Sequence, residues 1–164
     1  CAVIATDIPA EEQGTGMLFN MDGEVVGMIS SSVWNDTGKN VVNAYGISDL
    51  KPIIELLING KSVPYIGIYG TTVTEQLAEE HKMPSGIYVA DVDPDSPAMA
   101  AGIQIGDIIC EASGEEIKDI AAYQNIVIGS SVGETMEFVG KRLGSDGYVN
   151  IKFSVVTTEK EEVK

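Results

Sequence analysis

The chain is 164 residues long and 44% apolar, enough to bury one good core, or one small domain and part of another, so wholesale disorder is excluded. Its formal charge of -15 repels phosphate backbones, and no stretch gathers Lys or Arg into a basic patch, which argues against nucleic acid as a partner. No run of about 18 apolar residues exists and no charged-then-apolar signal segment opens the chain, so a soluble segment without membrane contact is expected.

The two cysteines, Cys1 and Cys110, give no disulfide framework, and Cys110, inside the apolar run Gly106 to Cys110, reads as a small buried hydrophobe. His81 is the single histidine and has no Cys or Asp cluster at ligand spacing. It reads as an exposed residue at a helix end. No metal or other cofactor is expected.

In chain order, the first apolar runs are short and β-branched: Ala2 to Ala5, Met17 to Phe19, Val25 to Ile29 and Val41 to Tyr45. Turn residues at Asp22-Gly23 and Asn35 to Gly38 separate them, which predicts antiparallel strands and hairpin loops. About four strands are too few to close a barrel alone. From Ser48 the period becomes helical, with Leu50, Ile53, Ile54 and Leu57 on one face. Ser48 or Asp49 is the expected cap, Pro52 is placed in the first turn, and Asn59-Gly60 ends the helix. Its apolar stripe can serve as part of a core or as a docking surface, and core packing is expected. The helix marks a boundary, with 1–47 before it, 48–63 as the linking segment and a second domain over 64–156.

That second domain reads as strand (65–69), helix (73–81), strand (86–92), short helix (97–101), strand (107–111), helix (120–128) and two closing strands (135–141, 148–155). Thr72 with Glu75 forms a capping-box pattern, Ser113-Gly114 suits a tight turn, and Gly144 to Gly147 suits a longer hairpin loop. The short helix is specified at both ends, with Ser96 as cap, Pro97 at the first position and Gly102 as the left-handed stop. Residues 157–164 read as a frayed polar tail. The fold class is therefore mainly β with short helices.

The string Val92-Asp93-Pro94-Asp95-Ser96-Pro97-Ala98-Met99-Ala100-Ala101-Gly102-Ile103-Gln104-Ile105-Gly106-Asp107-Ile108-Ile109 closely resembles the V-x-x-x-S-P-A-x-x-A-G-L-x-x-G-D-x-I segment of bacterial PDZ domains. Tyr65-Ile66-Gly67-Ile68 resembles the carboxylate-binding loop of HtrA-type PDZ domains, and Ile117 to Gly129 the helix that walls their groove. The resemblance covers 64–156 and implies an α+β PDZ domain. Independently of it, Gly67 between apolar residues lets the amides of Ile66, Gly67 and Ile68 form a nest for a carboxylate, and the strand beyond, including Tyr69, offers an edge to an added peptide strand. Ile120, Tyr123 and Val127 recur at i, i+3 and i+7 as one apolar stripe. The resemblance assigns Ile120 and Tyr123 to the groove, whereas Val127 reads as core.

Upstream, Thr6-Asp7, Leu18-Phe19-Asn20-Met21-Asp22-Gly23-Glu24-Val25-Val26-Gly27-Met28 and Asn43 to Ser48 resemble the part of HtrA (DegP-like) serine proteases that flanks the nucleophile, in a trypsin-like β-barrel. Counting forward from Asp7 puts Thr15 at the nucleophile position, and counting back from Leu18 puts Gly14 there. Neither is serine, which implies a residue lost within 8–16. In the resembled family the catalytic His and Asp come from a preceding barrel, so a start at Cys1 leads one to expect a longer parent chain. A threonine hydroxyl needs a positioned base to act, and none is expected beside Thr15.

The reading that follows is a peptide-binding PDZ module with a non-catalytic protease remnant, taking peptides or unfolded protein segments as partners. The alternative is a fragment of an active HtrA-type endopeptidase in protein quality control. A scaffold role, in which the β segment and helix 48–59 serve only for assembly, with homo-oligomer formation, stays open. An extracytoplasmic location, in the bacterial cell envelope or secreted, is implied by the resemblance alone.

Overall fold

The computed structural model describes residues 3–9, 14–30 and 41–159. The chain divides after Asn59 into two compact units. In the first, strands β1 (Val3–Pro9), β2 (Gly16–Phe19), β3 (Val25–Ile29) and β4 (Val41–Gly46) form an antiparallel sheet in the order β1-β4-β3-β2. No closed barrel forms among the described residues. The β2–β3 turn is built by Asn20, whose Oδ1 accepts from the amides of Asp22 (3.0 Å) and Glu24 (2.9 Å), with Gly23 at φ +82°. This self-bonding side chain and left-handed glycine explain why the hairpin forms there. The loop expected at Asn35 to Gly38 lies outside the described residues.

Helix α1 (Ile47–Ile58) packs on β3 and β4. It departs from expectation in three ways. It is capped at Gly46, two residues before Ser48 and three before Asp49, with no side-chain cap, so Ser48 and Asp49 fall inside the first turn. Pro52 therefore sits in the second turn and removes one helical hydrogen bond. Nor is the apolar stripe core: no residue of α1 is buried, and Leu57 is 58% exposed. With only one sheet face to lean on, the helix keeps half its apolar side in solvent. Its end follows expectation, with Asn59 Nδ2 donating to the Glu55 carbonyl at 2.7 Å and Gly60 at φ +67°.

The second unit contains β5 (Pro64–Tyr65), β6 (Ile68–Val73), α2 (Glu75–His81), β7 (Gly86–Val92), α3 (Pro97–Ala100), β8 (Ile108–Ala112), β9 (Glu115–Glu116), α4 (Ile120–Gly129), β10 (Thr135–Gly144), β11 (Gly147–Val156) and β12 (Thr158–Glu159). The main sheet runs β11-β10-β8-β7-β6, with β9 paired to β8, and β12 pairs with β5 in a small second sheet. Both the order of elements and the mostly β character follow the sequence reading. Ile66, Ile87, Val89, Ile109, Ile117, Met136, Phe138 and Val155, each 2% exposed or less, form the centre of the core.

Four local expectations are corrected. The strand expected over 65–69 breaks at 66–67 and resumes as the longer β6. Helix α2 is capped by Thr74, whose hydroxyl accepts from the Leu77 amide, and not by Thr72. The β10–β11 loop is only Ser145-Asp146, because Gly144 and Gly147 still pair. The frayed tail does not start at Thr157: that side chain is 1% exposed, its hydroxyl donates to the Ser131 carbonyl at 2.6 Å, and β12 follows it. Residues 160–164 lie outside the described residues. Ser113 (φ 50°) and Gly114 (φ 84°) make the tight turn expected of them.

Candidate functional site

The bend at Ile66-Gly67 is made by tertiary bonds. The Ile66 carbonyl accepts from the Ala98 amide and the Gly67 carbonyl from the Asp93 amide, both at 2.9 Å. Across a planar trans peptide, C=O and the next N–H point in opposite directions. Pinning these two carbonyls toward the β7–α3 connection therefore turns the amides of Gly67 and Ile68 away from it. The ladder supports this: Ile68 faces Val92, and the Asp93-to-Gly67 bond flanking that pair makes it a non-hydrogen-bonded one, so the amide of Ile68 points to the open edge of β6. β6 is the terminal strand of its sheet. The amides of Ile66 and Gly67 donate to no acceptor among the described residues, although both residues are buried.

The Ser96-Pro97-Ala98 motif is thus a brace for the loop as well as a helix start. Ser96, 3% exposed, accepts from the Met99 amide at 3.2 Å. A Cβ on Gly67, at φ +85°, would stand 2.3 Å from Ser96 Cβ and 2.9 Å from the Tyr65 hydroxyl. Glycine is required here by the protein behind the loop, before any ligand is considered. Tyr65 and Tyr69 (the latter at 2.8 Å) both donate to Asp93 Oδ2. Burial, the Asp93 carboxylate and Tyr69 push the Tyr65 phenol far above its ordinary range.

Helix α4 forms the facing wall. Asp119 caps it, accepting from the Ala122 amide at 2.7 Å, and its first amide, that of Ile120, donates to Thr72 Oγ1 on β6 at 3.1 Å. With its start tied to the far end of β6 and its body packed on β6 and β5, the helix runs back along the strand toward the loop. Ile120 is half-buried, whereas Tyr123 (6% exposed) and Val127 (7%) belong to the core cluster. The structure thus brings Tyr65 to Tyr69 and Ile120 to Val127 onto one side of the sheet edge. Asp93, Ala98 and Thr72, which hold that arrangement, had no local signal as site residues, since each acts through a partner far away in the chain.

A separate cleft of about 920 Å³ is lined by Tyr65, the 93–97 connection, α3 and the β11–β12 region, and includes neither the β6 edge nor α4. Asp107, whose side chain is 1% exposed, is held by Arg142 through Nε–Oδ1 (2.6 Å) and Nη2–Oδ2 (2.8 Å). That pair fixes the Gly106-Asp107 corner of the motif. Cys110 is half-buried, not fully so; burial pushes its thiol up, against the opposing influence of Lys141. Gly14 and Thr15 are exposed ahead of β2, and His81 is exposed in the last turn of α2.

Residues 88–142 match the PDZ domain family model. Over 155 residues the chain is 30% identical to a probable periplasmic serine endoprotease, DegP-like, of Halomonas elongata, covering 90% of this chain and 32% of the relative. This chain is an HtrA/DegP homologue carrying a PDZ domain. The serine protease Do-like HtrA of Bacillus subtilis is 30% identical over 174 residues, covering 98% of this chain and 38% of the relative. Among solved structures, the HtrA-type protease AlgW with decapeptide matches with TM-score 0.57 at 20% identity, over 86% of this chain and 44% of that one. That likeness supports the fold. The HtrA homologue spans roughly a third of the length of these curated relatives, and its PDZ geometry is consistent with peptide binding.

Proposed function

We propose that the second unit captures extended peptide ends: a peptide adds as a strand to β6, with its terminal carboxylate on the amides of Ile66, Gly67 and Ile68 and its last apolar side chain toward Ile120, Tyr123 and Val127. The observation that carries this reading is the pinned pair of carbonyls at Ile66 and Gly67, which turns the following amides outward as an anion nest. Hydrogen bonds from amides to a charged group need no basic side chain. Long-range attraction for an anionic end is absent at a net charge of -15, so binding rests on backbone pairing and apolar contact and depends weakly on salt. Titrating one apolar-ended peptide as free acid and as C-terminal amide tests the proposal. The free acid should bind more tightly; equal affinities would contradict it.

We also infer that the first unit is non-catalytic in this chain, since Gly14 and Thr15 replace a serine and His81, the only histidine, lies in the PDZ-bearing half. The names of the relatives favour the other reading, an endopeptidase fragment. Labelling of Thr15 by a fluorophosphonate probe would decide for that alternative. The periplasmic names of relatives support an extracytoplasmic location.

A further inference from the structure

Thr72 faces α4, because its hydroxyl accepts from the Ile120 amide. Strand residues alternate between faces, so Gly70 and the core residue Ile68 share that face and Tyr69 points to the opposite one. There Tyr69 pairs with Asp91 of β7, and its hydroxyl donates to Asp93 Oδ2 at 2.8 Å. Tyr69, at 45%, and Asp91 are both exposed. Asp91 Oδ1 accepts from the Val92 amide at 2.9 Å, and no ion pair among the described residues involves this carboxylate. On that face the ladder reaches its first cation only at Lys141 of β10, in the row Thr71-Tyr88-Ile108-Lys141.

The ladder also fixes which peptide residue stands beside this row. Ile68 and Val92 form a non-hydrogen-bonded pair, so the N–H and C=O of Ile68 lie on the open edge. A carboxylate held by the Ile68 amide puts the last peptide residue opposite Ile68. In an antiparallel added strand the penultimate residue then stands opposite Tyr69, on the face away from α4, where side chains directly across are in contact. We propose that this position selects a cationic side chain, arginine above all, laid over the Tyr69 ring with its charge toward Asp91. The proposal rests on the peptide-binding reading above and adds to it a second specificity, set by residues outside both the carboxylate loop and the apolar pocket. A guanidinium both stacks on aromatic faces and pairs with carboxylates, and a tyrosine ring attracts a cation over its face. Asp91 lies two cross-strand steps from the peptide, on the order of 10 Å between Cβ atoms, a span that the long arginine side chain and the aspartate cover together. A penultimate glutamate would meet like charge instead.

The test titrates the full chain with free-acid, apolar-ended peptides carrying arginine or its neutral isostere citrulline at the penultimate position. The same exchange is made at the eighth residue from the end, which lies past the six residues of β6 and senses only the general acidity of the chain. Arginine should bind about threefold or more tightly than citrulline at the penultimate position, and show a clearly smaller preference at the upstream one. Asp91→Asn keeps an oxygen for the Val92 amide and removes the charge. It should at least halve the penultimate preference, while the citrulline peptide binds wild type and variant alike. Equal preferences at the two positions in wild type, or a penultimate preference that Asp91→Asn leaves intact, would overturn the selection of a cation and leave the groove reading in place. If the C-terminal amide of the arginine peptide binds wild type as tightly as the free acid, the groove reading itself fails, and this proposal with it.

Discussion

The two units spend similar apolar sequence very differently. In the second, fifteen buried residues form one cluster under a sheet closed over by α4 and α3. In the first, Val42 and Ala44 are the only buried hydrophobics among the described residues. Its sheet carries Met17, Met28, Tyr45 and Val3 opposite one another across four strands, with Met17 60% and Val3 51% exposed. Cross-strand neighbours share a face, so this is one apolar row. A sheet with a single helix against it forms strands but not a closed core, and stability should follow burial, not strand content.

The sharpest way to break that comparison is to make the same substitution in each unit. Phe138 is 0% exposed and Phe19 60%. Phe138→Ala should cost about 3–5 kcal/mol, read from urea unfolding followed at amides of β7. Phe19→Ala should stay within about 0.5 kcal/mol when followed at amides of β4. Comparable losses would mean that Phe19 is in a core the burial does not reveal.

Next in size is the Arg142–Asp107 pair. Arg142→Met leaves the Asp107 carboxylate buried without its partner, which should destabilise the second unit by about 3 kcal/mol. A loss below 1 kcal/mol would show that the Gln104 amide, which also donates to Asp107 (2.9 Å), suffices to hold it. Smaller again, Asp119→Ala removes the cap of α4 and should cost about 1 kcal/mol. It should leave exchange rates in β1 to β4 unchanged, since the first unit's helix has no side-chain cap to lose.

What the sequence revealed depended on how local each determinant is. α3 was legible at both ends because Ser96, Pro97 and Gly102 act on their own helix. Thr72 shows the opposite case: its spacing to Glu75 imitates a capping box, yet its hydroxyl serves the amide of Ile120, 48 residues on. The bend at Ile66-Gly67 was read as continuous strand because its cause is two bonds from Asp93 and Ala98. The Arg142–Asp107 pair spans 35 residues and left no periodic trace. In the candidate site, the Gly67 loop and the helix stripe were legible in their own residues as well as through the resemblance, while the residues that hold them in place were not. The same logic explains α1, whose periodic stripe marks a helix correctly but says nothing of how much surface is available to cover it.

The most direct test of the central claim is amide chemical-shift mapping of the uniformly labelled chain with a free-acid peptide and its amide. The pinned-carbonyl geometry predicts that the amide protons of Gly67 and Ile68 move strongly downfield with the free acid and much less with the amide, with lesser changes along β6 and α4. Largest shifts in the 93–97 connection or in β1 to β4, or identical shifts for the two peptides, would contradict it.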